Sequence, residues 1–182
     1  MKKILSFLLL VVFVTFAMKL LPVWADEKSP NILSADSILP GCSVVLSEID
    51  RISPDHPTNV SHEVEATWRC QDGGQSVIDT YAFEGGSPEV VTVFYWKNKD
   101  IISLVRWPIN SQAADYSGYL YAVYIYKGMK KDGNQIFVKD DATMKKLPFG
   151  FDGYKRNGSP VRYPYKDAAS IKRRLSALHF DE

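Results

Sequence analysis

Residues 116–127, YSGYLYAVYIYK, form the most aromatic stretch of the chain and indicate its fold. Successive side chains of an extended chain point to opposite faces. One face would carry Tyr119, Tyr121, Val123 and Ile125, and the other Leu120, Ala122, Tyr124 and Tyr126. The Asp-Gly pair in KDGN, residues 131–134, is typical of a tight hairpin turn. The sequence therefore predicts a strand that residues 135–139 pair back against.

The same kind of pattern precedes this hairpin. Apolar and polar residues alternate over 62–70, and Gln71-Asp72-Gly73-Gly74 then supplies a turn. Further strands are predicted over 76–83, 89–96 and 101–107. Turn signals about 8–12 residues apart are typical of an antiparallel meander. We expect a mainly β domain over residues 41–140, folded as a small barrel or a sandwich.

The last forty residues have a different pattern. Residues 141–147 would form one or two helical turns, and residues 148–153 a loop. Asp167 can cap a helix, because its carboxylate can accept the free N–H groups of the first turn. Beyond it, apolar residues recur on one helical face: Ala168, Ile171, Leu175 and Leu178. Residues 141–182 are therefore predicted to be a loop and a C-terminal helix packed on the β domain.

The N-terminus has the pattern of a secretory signal peptide. Two lysines, Lys2 and Lys3, precede the uncharged residues 4–18, and small residues, Val23 and Ala25, stand before a cleavage site. A membrane anchor is the alternative, but the uncharged run is shorter than the roughly 20 residues that span a bilayer. We expect cleavage near Ala25 and a periplasmic or secreted protein without stable membrane insertion. Residues 26–40 would form a flexible leader.

The two cysteines, Cys42 and Cys70, are expected to form a disulfide because export leads to an oxidising compartment. A disulfide that closes the chain between Cys42 and Cys70 stabilises the folded state by about 3–4 kcal/mol in the chain-entropy model. The alternative is a pair of buried free thiols.

Charge is unevenly divided along the chain. Residues 26–142 carry 10 basic and 17 acidic side chains, and residues 143–182 carry 9 basic and 4 acidic ones. The tail could be attracted to the β domain, or it could form a basic patch for an acidic partner. The net charge of the whole chain, +1, does not favour nucleic-acid binding.

Motifs of catalysis are missing from the sequence. It contains no G-x-S-x-G, H-E-x-x-H, Walker or G-x-G-x-x-G motif, and its three histidines, His56, His62 and His179, lack metal-site spacing. We expect no cofactor, no metal and no enzymatic activity, with a hydrolase lacking a recognisable motif as the alternative. A barrel strand has one inward face, so some tyrosines of residues 116–126 should lie outside. Outward aromatic side chains are typical of binding surfaces.

Residues 66–138 contain short motifs that resemble those of the periplasmic and membrane-bound inhibitors of c-type lysozyme. The stretch ATWRCQDGG, residues 66–74, is similar to the opening strand of that family. ADYSG, residues 114–118, and YKG, residues 126–128, are similar to its Ser-Gly-x-x-Tyr segment and downstream Lys-Gly. The resemblance implies a small antiparallel β-barrel that presents a serine hydroxyl and a lysine ammonium to the two catalytic carboxylates of lysozyme.

In this chain Lys127 matches that lysine, and Ser111 matches the serine with a shift of one residue. The candidate binding residues are therefore Ser111, Tyr116, Tyr119, Tyr121 and Lys127. The expected function is an exported, non-enzymatic binding or inhibitor protein, with a lysozyme-like cell-wall hydrolase as its partner. The alternative is a periplasmic immunity or self-resistance protein that binds a toxin or a secreted antibiotic. The partner would be a protein or, in the second case, also a small molecule, and the oligomeric state stays open.

Overall fold

The computed structural model describes residues 30–52, 60–110 and 115–180. The predicted signal peptide and Ser111 lie outside these ranges. Within them the chain forms ten strands and two helices: β1 Asn31–Ser34, β2 Cys42–Ile52, β3 Val60–Cys70, β4 Gln75–Tyr81, β5 Glu89–Trp96, β6 Asp100–Asn110, β7 Tyr116–Lys131, β8 Asn134–Lys139, α1 Asp141–Met144, β9 Gly150–Lys155, β10 Pro160–Val161 and α2 Ala168–Ala177. Neither helix is long and apolar enough to cross a bilayer.

The strands form two antiparallel sheets, which confirms the predicted mainly β fold. Sheet I has the order β1-β2-β3-β4. Sheet II has the order β10-β9-β7-β6-β5, and β8 also pairs with β7. The two sheets pack as a sandwich, so of the two predicted architectures the sandwich is the one observed.

The core between the sheets is built by the alternation that the sequence shows. Val44 and Trp68 of sheet I pack against side chains of sheet II such as Val105 and Tyr126, and all four are buried. The Trp68 ring lies 4.8 Å from the ring of Phe137 on β8. Each strand therefore contributes every second residue to this layer.

A second core covers the other face of sheet II. Val123 and Ile125 of β7 pack there against Ile171 and Leu175 of α2, which are completely buried. This confirms the predicted packing of the C-terminal helix on the β domain. Sheet II is thus covered on both faces, and β7 needs large apolar side chains on both. The premise that a strand of this fold has only one covered face is wrong for β7.

Cys42 and Cys70 form a disulfide and lie opposite each other in the β2–β3 register. The predicted bond is confirmed, and its sulfur atoms are 1.96 Å apart. Disulfides persist in oxidising compartments, so the bond indicates an extracytoplasmic environment.

Strands β2 and β10 were not predicted, and two further segments differ from the sequence expectation. Residues 31–34 of the predicted flexible leader form β1, which pairs with β2, and Ala35 is fully buried. Residues 150–153 of the predicted loop belong to β9, which pairs with the first part of β7. The glycines of β9 are typical of a loop, but Gly153 faces Gly118 of β7, and both have positive φ. A Cβ on either would collide with the opposite backbone, so this close strand pair needs glycine at both positions.

Candidate binding site

Strand β7 is paired discontinuously along one edge. Its residues 116–121 pair with β9, and its residues 126–131 pair with β8. Among the described strands, neither β8 nor β9 supplies a register partner for residues 122–125 of β7. The chain between β8 and β9, which contains α1, crosses this gap instead. The gap opens a cavity that we call the β7 notch.

The β7 notch has a volume of about 410 Å³ and a largely apolar lining. Its floor is the edge of β7 at Ala122, Val123 and Tyr124, and its walls include Met144 and Leu147. Pro148, Phe149, Asp141 and Lys145 complete the lining. Cavities of this size, apolar with a few polar groups at the edge, are typical of small-ligand sites.

The turn at Asp140 explains why the chain leaves the sheet here. The Asp140 N–H donates to the Ile125 carbonyl at 2.8 Å, which ends the pairing with β7. Its side chain caps α1, accepting from the Thr143 N–H at 3.0 Å and the Thr143 hydroxyl at 2.8 Å. Burial opposes ionisation of Asp140, but these bonds and the Lys127 ammonium outweigh it and lower its pKa.

The loop after α1 is held from beneath while its aromatic side chain points outward. The Tyr163 hydroxyl donates to the Pro148 carbonyl at 3.0 Å, and the Arg174 guanidinium donates to the Lys146 carbonyl at 3.4 Å. Phe149 is nevertheless 74 % exposed, whereas Leu147 is buried at 1 %. The loop backbone is thus fixed with a large apolar ring in solvent at the mouth of the notch.

The notch borders a polar network between the sheets. The Tyr124 and Tyr81 rings are tilted against each other with centroids 5.0 Å apart, and the Lys139 ammonium lies 5.2 Å from the centroid of the Tyr124 ring. Burial, together with the charges of Asp79 and Glu84, raises the pKa of Tyr124 to about 12. Its phenol therefore stays protonated at ordinary pH.

Two other cavities are more polar. One of about 290 Å³ lies between the sheets beside Ser47, Glu48 and Glu89. Another of about 400 Å³ lies beside the disulfide and is lined by polar residues such as Gln75 and Asn134. The β7 notch is the most apolar of the three. In the described part of the chain, no group of three or more His, Cys, Asp or Glu is placed to hold a metal ion.

The predicted tyrosines lie at the β9 end of β7, with different exposure. Tyr116 is 40 % exposed and its ring lies 4.7 Å from that of Phe151. Tyr119 is half-buried, with the Arg106 guanidinium 4.2 Å from its ring centroid. Tyr121 is buried at 7 % exposure and stacks on Tyr163 at 5.5 Å. Tyr121 therefore belongs to the second core and not to an open surface.

Lys127 lies far from these tyrosines on the same strand. At about 3.3 Å per residue, the distance along β7 from Tyr116 to Lys127 is roughly 36 Å. The Lys127 ammonium is 3.3 Å from Asp140 Oδ2 and 5.0 Å from the Phe180 ring centroid. The structure thus brings Tyr119 and Tyr121 together, with ring centroids 6.2 Å apart. It leaves Tyr116 against Phe151 and Lys127 apart from all three tyrosines. Ser111 cannot be placed, because it lies outside the described residues.

The residues that line the notch were not predicted from the sequence. Met144, Leu147 and Phe149 lie in a segment interpreted only as helical turns and loop. The one available signal was KKLPFGF, residues 145–151, where an aromatic ring follows two lysines in a Pro- and Gly-containing stretch. The cavity itself depends on where β8 ends and β9 begins, which local patterns do not define.

Comparison with protein-family models, with curated proteins and with solved structures found no significant match to this chain.

Proposed function

We propose that this chain is an exported protein that acts by binding and not by catalysis. The observation that carries the proposal is the β7 notch, an apolar cavity of about 410 Å³ with the exposed Phe149 at its mouth. The Cys42–Cys70 disulfide supports export, and cleavage near Ala25 would release the mature chain into the periplasm or the medium.

A lysozyme-like cell-wall hydrolase is the first partner to test. The proposal is supported by the resemblance around residues 66–138 and by Lys127, whose side chain is 40 % exposed. A lysine facing two carboxylates in a contact that excludes water is strongly attracted to them. Lys127 would exchange its contact with Asp140 for the carboxylates of the enzyme.

The test is titration of the mature chain, residues 26–182, into a c-type lysozyme while cell-wall lysis is followed. We expect stoichiometric loss of activity, and at least tenfold weaker inhibition by Lys127→Ala because a buried charge pair would be broken. Lys130→Ala is the matched control, since Lys130 is exposed on the same strand. Full lysozyme activity in the presence of excess wild-type chain would exclude this partner.

A second candidate function is immunity or self-resistance through capture of a toxin or secreted antibiotic. The notch favours it, because its volume is that of a small-molecule site. Deletion of the gene should then sensitise the host to its own product or to a neighbour's toxin, and unchanged sensitivity would count against this function.

A further inference from the structure

We infer that the β7 notch binds a small amphipathic anion, an acyl chain or flat apolar group that fills the cavity and carries its negative charge at the Lys145 side. This inference rests on the proposed binding function and names the ligand class of the same site.

The apolar part of the ligand follows from the lining. The lining residues that keep accessible surface are mostly apolar: Ala122 and Met144 are half-buried, and Pro148 and Phe149 are exposed. At about 410 Å³ the cavity has the volume of a small ligand, a chain or ring that enters between the loop and β7. Each methylene that the cavity buries should strengthen binding about fourfold.

Phe149 marks the mouth of the site. Its ring is 74 % exposed although its loop is tied down through the carbonyls of Pro148 and Lys146. A large apolar side chain held in water on a fixed loop beside an apolar cavity is typical of a binding hot spot. A bound chain would cover the inner face of this ring.

The charge of the ligand follows from the rim. Lys145 and Lys146 are exposed at the end of α1, and the Arg174 guanidinium lies against the Lys146 carbonyl. Asp141 is the acidic residue that lines the notch. The lining itself carries one charge of each sign, so the excess of cations at the rim comes from the neighbouring Lys146 and Arg174. An anionic head group is therefore attracted to this rim, and a cationic one is repelled.

The experiment is isothermal titration calorimetry of the mature chain, first with decanoate below the critical micelle concentration of decanoate and then with decanol. We expect saturable one-to-one binding of decanoate, weaker binding of decanol, and about tenfold weaker decanoate binding by Phe149→Ser. Lys145→Gln should weaken decanoate by about two- to fivefold without changing decanol. Lys172→Gln, an exposed lysine on α2, is the control and should bind as wild type.

Vesicles of phosphatidylglycerol distinguish a free ligand from a membrane lipid. Co-sedimentation with vesicles but no binding of free decanoate would overturn the inference in favour of a membrane surface. Equal binding by wild type and Phe149→Ser, or no saturation with decanoate, would overturn it as well. Lysozyme inhibition and the deletion phenotype are measured separately, so a failure of the ligand class is distinguishable from a failure of the binding function.

Discussion

Tyr126 shows how single polar atoms tie the two sheets together. Its hydroxyl donates to Asp79 Oδ2 at 2.7 Å and lies 3.2 Å from the hydroxyl of Tyr81. The Lys139 ammonium reaches the same Asp79 oxygen at 2.7 Å. Burial, with the neighbouring Tyr81 and Asp79, raises the pKa of Tyr126 far above its ordinary value, so the phenol remains a donor. The Asp79 carboxylate is thereby satisfied inside the sandwich.

Replacing Tyr126 with phenylalanine should destabilise the fold by about 1–3 kcal/mol. The Asp79 side chain, only 18 % exposed, would lose a donor and remain desolvated. The free energy of unfolding in urea measures the effect. Tyr116→Phe, on the exposed end of the same strand, should change it by less than about 0.5 kcal/mol. Similar losses in both variants would refute this role of the Tyr126 hydroxyl.

Helix α2 depends on a cap that the sequence predicted correctly. Asp167 Oδ1 accepts from the Ser170 N–H at 2.7 Å. This backbone bond holds the pKa of Asp167 below the ordinary carboxyl value of 3.8. An ionised carboxylate is thus favoured in the folded state, and its stabilisation is present above the unfolded pKa and lost as the pH falls through the folded one.

Asp167→Ala should lower the free energy of unfolding by about 1 kcal/mol at pH 7. The difference between wild type and variant should shrink as the pH falls below about 4, because the carboxylate is protonated first in the unfolded state and, at lower pH, in the folded state. Denaturation series at pH 7, 4 and 3 measure both effects. A difference that stays constant with pH would show that the carboxylate charge is not what stabilises the cap.

Local alternation predicted most strands, because each of them buries every second side chain against the sandwich core. The short β1 was not predicted, since four residues are too few to show an alternating pattern. Strand β9 was not predicted because glycine occurs both in loops and where two strands approach closely. Tyr121 was predicted to lie on an open surface because Tyr163, the residue whose ring stacks on it and buries it, is distant in sequence. The β7 notch depends on the ends of two strands and could not be derived from any one segment.

At the scale of the whole molecule, the protein is a three-layer structure with sheet II in the middle. Sheet I covers one face of sheet II, and α2 with its flanking loops covers the other. The basic C-terminal segment, residues 143–182, therefore contributes apolar side chains to the core and charged side chains to the surface. Trp96 of sheet II links the sheet to this C-terminal segment, because its indole N–H donates to the Phe180 carbonyl at 3.4 Å. The tail should unfold together with the sheets.

Leu175→Ala tests this cooperativity, because Leu175 is completely buried in the second core. Removing it should cost about 2–5 kcal/mol, the range for large-to-small changes in a core. Tryptophan fluorescence and far-ultraviolet circular dichroism should still report one shared transition, since the helix has no separate core of its own. Ser176→Ala, exposed on the same helix, should leave the midpoint nearly unchanged. Two separate transitions in the Leu175 variant would instead mean that the tail is an independent layer, and the notch between tail and β7 would then open without unfolding the sheets.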